Sequence, residues 1–171
     1  KLKVIEDSAC GFDAWIEDRH SGTFGNCGCF SFHPRKSITT GEGGMLITDD
    51  EKIANLVSQL KDHGANRSDF QRHNQKGSFF LPDFDLKGYN YRMTDLQAAI
   101  GRVQLSKLNQ FVKEREYWAK YYTKELDSLE WLIPQSVPEY VTQHAWQAYV
   151  CYVDPNKSPK SRNEIMEYLQ T

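Results

Sequence analysis

One lysine, Lys36, lies within Ser31-Phe32-His33-Pro34-Arg35-Lys36-Ser37-Ile38-Thr39-Thr40-Gly41-Glu42-Gly43-Gly44, with a hydroxyl upstream and a glycine-rich turn just after it. A solvated surface lysine needs no such setting. A lysine that forms a Schiff base does, because its amine must be aimed, held near a second charged ligand and partly desolvated. Pro34 and the glycines fix the backbone on both sides. The flanking Phe30-Ser31-Phe32 and Met45 predict a buried, tightly turned loop. Further upstream, Val4-Ile5-Glu6-Asp7 reads as a buried strand ending in a carboxylate. Asp7 is either a cap or surface acid, or the group that holds a pyridinium proton. Ser31 either satisfies a strand end or donates to a phosphate. Together, Lys36 for an aldehyde and Asp7 for a ring nitrogen point to a pyridoxal phosphate (PLP) site.

The elements that must position these groups are short. Residues 3–7 read as an apolar strand, and 11–27 as a glycine- and charge-rich stretch with turn signals at Ser21-Gly22 and Gly25-Asn26. Strands are predicted at 29–32 and 45–48, on either side of the lysine loop. Asp49 or Asp50 then caps a helix to about residue 60, with Ile53, Leu56, Val57 and Leu60 on one face. Residues 61–87 form a long polar segment containing His63, Arg67, Arg72 and His73; a loop of this length is functional or covered by a partner. Thr94 with Gln97 three residues on resembles a capping box. The helix it opens, 95–107, carries Leu96, Ala99, Ile100, Val103 and Leu108 at helical spacing, and a second helical pattern covers 108–127. Strands at 131–133 and 145–153 and a helix at 159–169 complete the pattern. The shift in composition near residue 105 predicts two units, 1–104 and 105–171.

A chain of 171 residues buries a real core as one domain or slightly more. With 39% hydrophobic and 26% charged residues it has the composition of a globular protein. No apolar run approaches the roughly 20 residues that span a bilayer, and no signal peptide is evident. A net charge of −2 without a basic cluster argues against a nucleic-acid partner. Cys27 and Cys29 lack a second pair at zinc spacing, so reduced structural cysteines, no metal and a cytoplasmic location are expected. The chain opens directly in a strand-like run without methionine and stops at the end of an apparent helix. It is therefore expected to be a piece of a longer protein.

Three segments carry a resemblance to a known family: Val4-Ile5-Glu6-Asp7-Ser8-Ala9-Cys10, the stretch 25–44, and Gly88-Tyr89-Asn90-Tyr91-Arg92-Met93-Thr94-Asp95-Leu96-Gln97-Ala98-Ala99. In this order and spacing they resemble the DegT–StrS family of sugar aminotransferases, and a weaker likeness continues to His144-Ala145-Trp146. The resemblance implies an α/β PLP-dependent transferase fold of the aspartate aminotransferase type (fold type I), present in part: the C-terminal part of the large domain over 1–104 and part of the α+β small domain over 105–171. It implies that Lys36 is the Schiff-base lysine, that Asp7 meets the pyridine nitrogen and that Ser31 binds the cofactor phosphate. It further implies that Asn90 reaches the phosphate of the neighbouring subunit's cofactor, hence a homodimer, and that His63 approaches the substrate or the subunit interface. Cys10 stands where many members have Gln or His beside the cofactor ring, which changes the polar contact there.

The implied reaction moves an amino group from an amino acid, glutamate, to a keto-sugar attached to a nucleotide, in cell-surface polysaccharide or secondary-metabolite sugar synthesis. Lys36 moves the proton at the donor's α-carbon. The alternative is a non-catalytic fragment of such an enzyme, because the resemblance leaves without counterpart an earlier phosphate-binding loop, a ring-stacking aromatic and several strands. The dehydratase branch, which places His at the lysine position, fits less well. A nucleotide-binding reading of Gly41 to Gly44 lacks the required glycine pattern and is followed by a strand instead of a helix.

Overall fold

The computed structural model describes residues 2–66 and 82–170. Arg67, Arg72 and His73 lie outside the described residues. In chain order the elements are β1 (Ile5–Asp7), β2 (Trp15–Ile16), β3 (Arg19–His20), β4 (Cys27–Ser31), β5 (Gly44–Ile47), α1 (Glu51–Leu60), α2 (Asp95–Leu126), β6 (Leu132–Pro134), β7 (Val141–Gln143), β8 (Cys151–Val153) and α3 (Arg162–Tyr168). They build three small sheets, ordered β1-β4-β5, β3-β2-β7 and β6-β8. In the first, β1 runs parallel to β4 with Asp7 opposite Cys29, and β5 returns antiparallel with Gly44 opposite Ser31.

The sheet that carries the site is held by local chemistry. The Glu6 carboxylate accepts hydrogen bonds from the backbone N–H groups of Gly22 and Gly25, pinning that turn beneath β1. A Cβ on Gly28 would stand 2.3 Å from the Gly22 Cα, so β4 can pass this turn only as glycine. Asp50 caps α1, its side chain accepting from the N–H groups of Lys52 and Ile53. Thr94 and Gln97 form the expected capping box on α2, and Ser161 with Glu164 forms a second one on α3. The main core cluster is Phe32, Ile38, Leu108 and Val112, with Phe12, Met93 and Phe111 packed against it. Both sides of the lysine loop are thus anchored on the middle of α2.

Five expectations need correction. The strand ending in Asp7 is not buried: β1 pairs with β4 alone among the described residues, and Ile5 remains 70% exposed. The two predicted helical stretches are one helix of 32 residues. Its apolar stripe changes face near residue 105 without any proline to break the backbone, so the change of pattern mimics a change of element. Leu96, Ile100 and Val103 do not face the core but are 79%, 50% and 56% exposed. Finally, the loop at 11–27 contains the β2–β3 hairpin, whose tight turn uses Glu17 at a φ of 54° in place of the usual Asn-Gly signal. Its outer partner, β7, lies over a hundred residues away in sequence. The strand predicted at 145–153 shortens to β8, because the Trp146 N–H donates to His144 Nδ1 and turns the chain, with Trp146 at a φ of 45°.

Candidate active site

The lysine loop closes on itself before it reaches the lysine's partners. Phe32 N–H donates to the Gly43 carbonyl at 2.9 Å, Thr40 N–H to the Phe32 carbonyl at 3.1 Å and the Thr39 hydroxyl to the same carbonyl at 2.8 Å. Gly43 takes a φ of 151°, and a Cβ there would stand 2.6 Å from the Thr40 hydroxyl. Inside this collar, Ser37, Ile38 and Thr40 are buried and a turn from Lys36 N–H to the His33 carbonyl presents the lysine. Helix α2 grips the collar from below. Gln97 Nε2 donates to the Glu42 carbonyl at 2.9 Å, Gln104 Oε1 accepts from Thr39 N–H, and Gly101 lies against the Thr40 methyl.

The half-buried Lys36 side chain points back toward β1. Its Nζ donates to Cys10 Sγ at 3.0 Å, three residues beyond Asp7. Asp7 is exposed at the end of β1, where one carboxylate oxygen accepts from Ala9 N–H at 3.1 Å. On the neighbouring strand, burial, together with the charges of Cys27 and Asp7, pushes the Cys29 thiol above its ordinary pKa. Ser31 ends β4, and its hydroxyl accepts from His33 N–H at 3.3 Å. Lys36 and Ser31 share a cleft of about 500 Å³ with His33, Arg35, Glu42 and Gln147. That volume suits a small cofactor and substrate. A larger cleft, about 580 Å³, lies between α2 and residues 135–146 and contains none of the expected site residues.

Of the residues expected from sequence, the structure thus brings Lys36 and Ser31 into one cleft and Cys10 against the Lys36 amine, with Asp7 at the same end of the sheet. His63 and Asn90 are brought to each other's neighbourhood instead. Asp62 bridges Asn90, His63 N–H donates to the Tyr89 carbonyl at 2.9 Å, and Arg92 pairs with Asp62. His63 and Asn90 are exposed, and among the described residues no hydrogen bond ties either to Lys36, Asp7 or Ser31.

Sequence reasoning missed Gln147. Its Nε2 donates to the carbonyl of Arg35, the residue before Lys36, while its Oε1 is buried without a partner among the described residues. The only signal was its position directly after His144-Ala145-Trp146. Nothing in that triplet tells that the following amide reaches a loop a hundred residues earlier.

These groups fit PLP. An amine in an open cleft, a hydroxyl at the cleft wall and a carboxylate at the adjacent strand end match its aldehyde, phosphate and ring nitrogen in chemical type. The chain has part of a PLP-dependent transferase fold of the aspartate aminotransferase type, as its likeness to solved aminotransferases shows; that from Psychrobacter cryohalolentis matches with a TM-score of 0.83 at 30% identity, over 99% of this chain and 45% of that one. The family model of the DegT/DnrJ/EryC1/StrS aminotransferases matches residues 1–171, and the chain belongs to that family. It is 39% identical over 169 residues to an uncharacterized protein of Methanocaldococcus jannaschii. It is 36% identical over 169 residues to the spore coat polysaccharide biosynthesis protein SpsC of Bacillus subtilis. Each alignment covers 99% of this chain and 43% of the relative, so the chain spans under half the length of these curated proteins. The solved structure of the aminotransferase TlmJ from Streptoalloteichus hindustanus matches with a TM-score of 0.84 at 26% identity, over 99% of this chain and 42% of that one.

Proposed function

We propose that this chain carries the lysine half of a PLP-dependent active site that transfers an amino group from glutamate to a keto-sugar linked to a nucleotide, in the cytoplasm. The observation that carries the reading is that Lys36 lines one cleft with Ser31 while its amine reaches Cys10, three residues beyond Asp7. PLP, when bound, supplies an electron sink for the α-carbanion of the amino donor. Lys36 anchors the cofactor and moves the proton at the donor's α-carbon. Asp7 would hold the proton on the ring nitrogen, Ser31 would donate to the phosphate, and Cys10 would supply a thiol contact to the cofactor. Asn90 of a second copy completes the phosphate site in a homodimer, and His63 faces the substrate. The units 1–104 and 105–171 are the large-domain and small-domain parts, joined within the continuous α2.

Mixing the full-length protein, PLP, glutamate and a nucleotide-linked keto-sugar should give 2-oxoglutarate and the amino-sugar in equal amounts. Replacing Lys36 by Ala should reduce this at least about 10⁴-fold. Amino transfer at wild-type rate by Lys36→Ala would contradict the assignment. A second reading is favoured by the chain spanning 43% of its relatives' length: these 171 residues bind PLP weakly and do not turn over by themselves. Comparing turnover of the 171-residue chain with that of a full-length relative separates the two.

A further inference from the structure

Cys10 Sγ and Lys36 Nζ lie 3.0 Å apart, at contact distance. Cys10 is exposed and Lys36 lines an open cleft, so small solutes reach both atoms. The other thiols differ. Cys27 is buried, and burial pushes the Cys29 and Cys151 thiols above their ordinary pKa, which keeps them protonated and slow to oxidise. The feature is therefore the pair: a nucleophilic nitrogen held against an oxidisable sulfur.

We propose that Cys10 and Lys36 form a reversible sulfur–nitrogen crosslink when hydrogen peroxide is present. In the first step the Cys10 sulfur attacks peroxide, the O–O bond breaks, and sulfenic acid and water result. In the second, the Lys36 lone pair attacks that sulfur. The S–O bond breaks, the hydroxyl leaves as water with a proton from the amine, and the S–N bond remains. Overall one thiol, one amine and one peroxide give the crosslink and two waters, sulfur losing two electrons and peroxide gaining them. A sulfenic acid condenses even with a backbone nitrogen, and a lysine amine is a better nucleophile. Two equivalents of a small thiol reverse the bond, releasing Cys10 and Lys36 and leaving a disulfide. The crosslink removes the amine from the cleft; that this blocks PLP attachment rests on the function proposed above, whereas the bond itself does not.

The test treats the full-length, PLP-free protein with hydrogen peroxide, digests it without reductant and sequences the peptides by mass spectrometry. The expected product is a peptide pair joined through Cys10 and Lys36, lighter by two hydrogens than the separate peptides and released by dithiothreitol. It should be missing from Cys10→Ser and from Lys36→Arg. Recovery of Cys10 as sulfinic or sulfonic acid, or in a disulfide, with Lys36 unmodified, overturns the proposal. A bridge that retains one oxygen overturns the direct bond. In a parallel arm, oxidised protein should fail to take up PLP until reduced. A crosslinked protein that still takes up PLP at the wild-type level refutes the assignment of Lys36 as the cofactor lysine and leaves the crosslink standing.

Discussion

Lys36 is aimed through its neighbours' backbone as much as through its own side chain. The Gln147 amide holds the Arg35 carbonyl, yet its own oxygen is buried without a donor among the described residues. The lost hydrogen bond and the relieved orphan have comparable magnitudes, about 1–2 kcal/mol each. Gln147→Leu should therefore change global stability little, while loosening the lysine loop and weakening PLP affinity. Denaturant melts paired with a cofactor titration check this; affinity at the wild-type level would remove Gln147 from the site. Asp7→Asn keeps the shape of the side chain and removes the charge. It should lower kcat by about 10²-fold or more, the scale of losing a charge-stabilising group at a reacting centre. Steady-state kinetics at saturating PLP measure the effect. Lys36, Asp7 and Ser31 stand out in the sequence because their types and order suggest chemistry, and the structure places Lys36 and Ser31 in one cleft. Gln147 was not, because its role is a backbone contact across the fold that no local pattern encodes.

Among the elements, α2 decides where the lysine loop sits. Gln97, Gly101, Gln104, Leu108 and Val112 form one stripe down the helix, the first three gripping the loop and the last two packing under Phe32 and Ile38. Val112 is 2% exposed, so Val112→Ala should cost about 2 kcal/mol of unfolding free energy in denaturant melts. Thr94→Ala, which opens the capping box, should cost about 1 kcal/mol in the same assay. The caps and α1 could be read from sequence because a cap is satisfied within three or four residues. The gripping stripe escaped notice because its upper part is polar or glycine, while the apolar residues beside it stay exposed. An apolar pattern shows that a face suits burial without saying what covers it. The β2–β7 pairing was equally hidden, since its strands are two and three residues long and far apart in sequence.

Across the whole molecule, β7 and the turn at 144–147 tie the later part of the chain back to the β2–β3 hairpin and to the lysine loop. The Thr142 hydroxyl donates to the Glu17 carbonyl, Gln143 Nε2 to the Asp13 carbonyl and Gln147 to Arg35. His144 anchors this turn as an acceptor, and burial lowers its pKa below the ordinary 6.5. The folded state thus binds this proton less readily than the unfolded state. His144 should leave stability unaffected above pH 6.5 and reduce it as pH falls from 6.5 toward the lower folded value. Thermal melts of wild type and His144→Gln from pH 8 to 5 should converge at the acid end, where the wild type loses its advantage; parallel curves would refute this. The central claim is that Lys36 is the residue that takes the cofactor. Its most direct test is borohydride reduction of the PLP-treated full-length protein followed by peptide mapping. A single pyridoxyl group fixed on Lys36 is expected. A label spread over surface lysines, or fixed at another lysine with Lys36 unmodified, would contradict it.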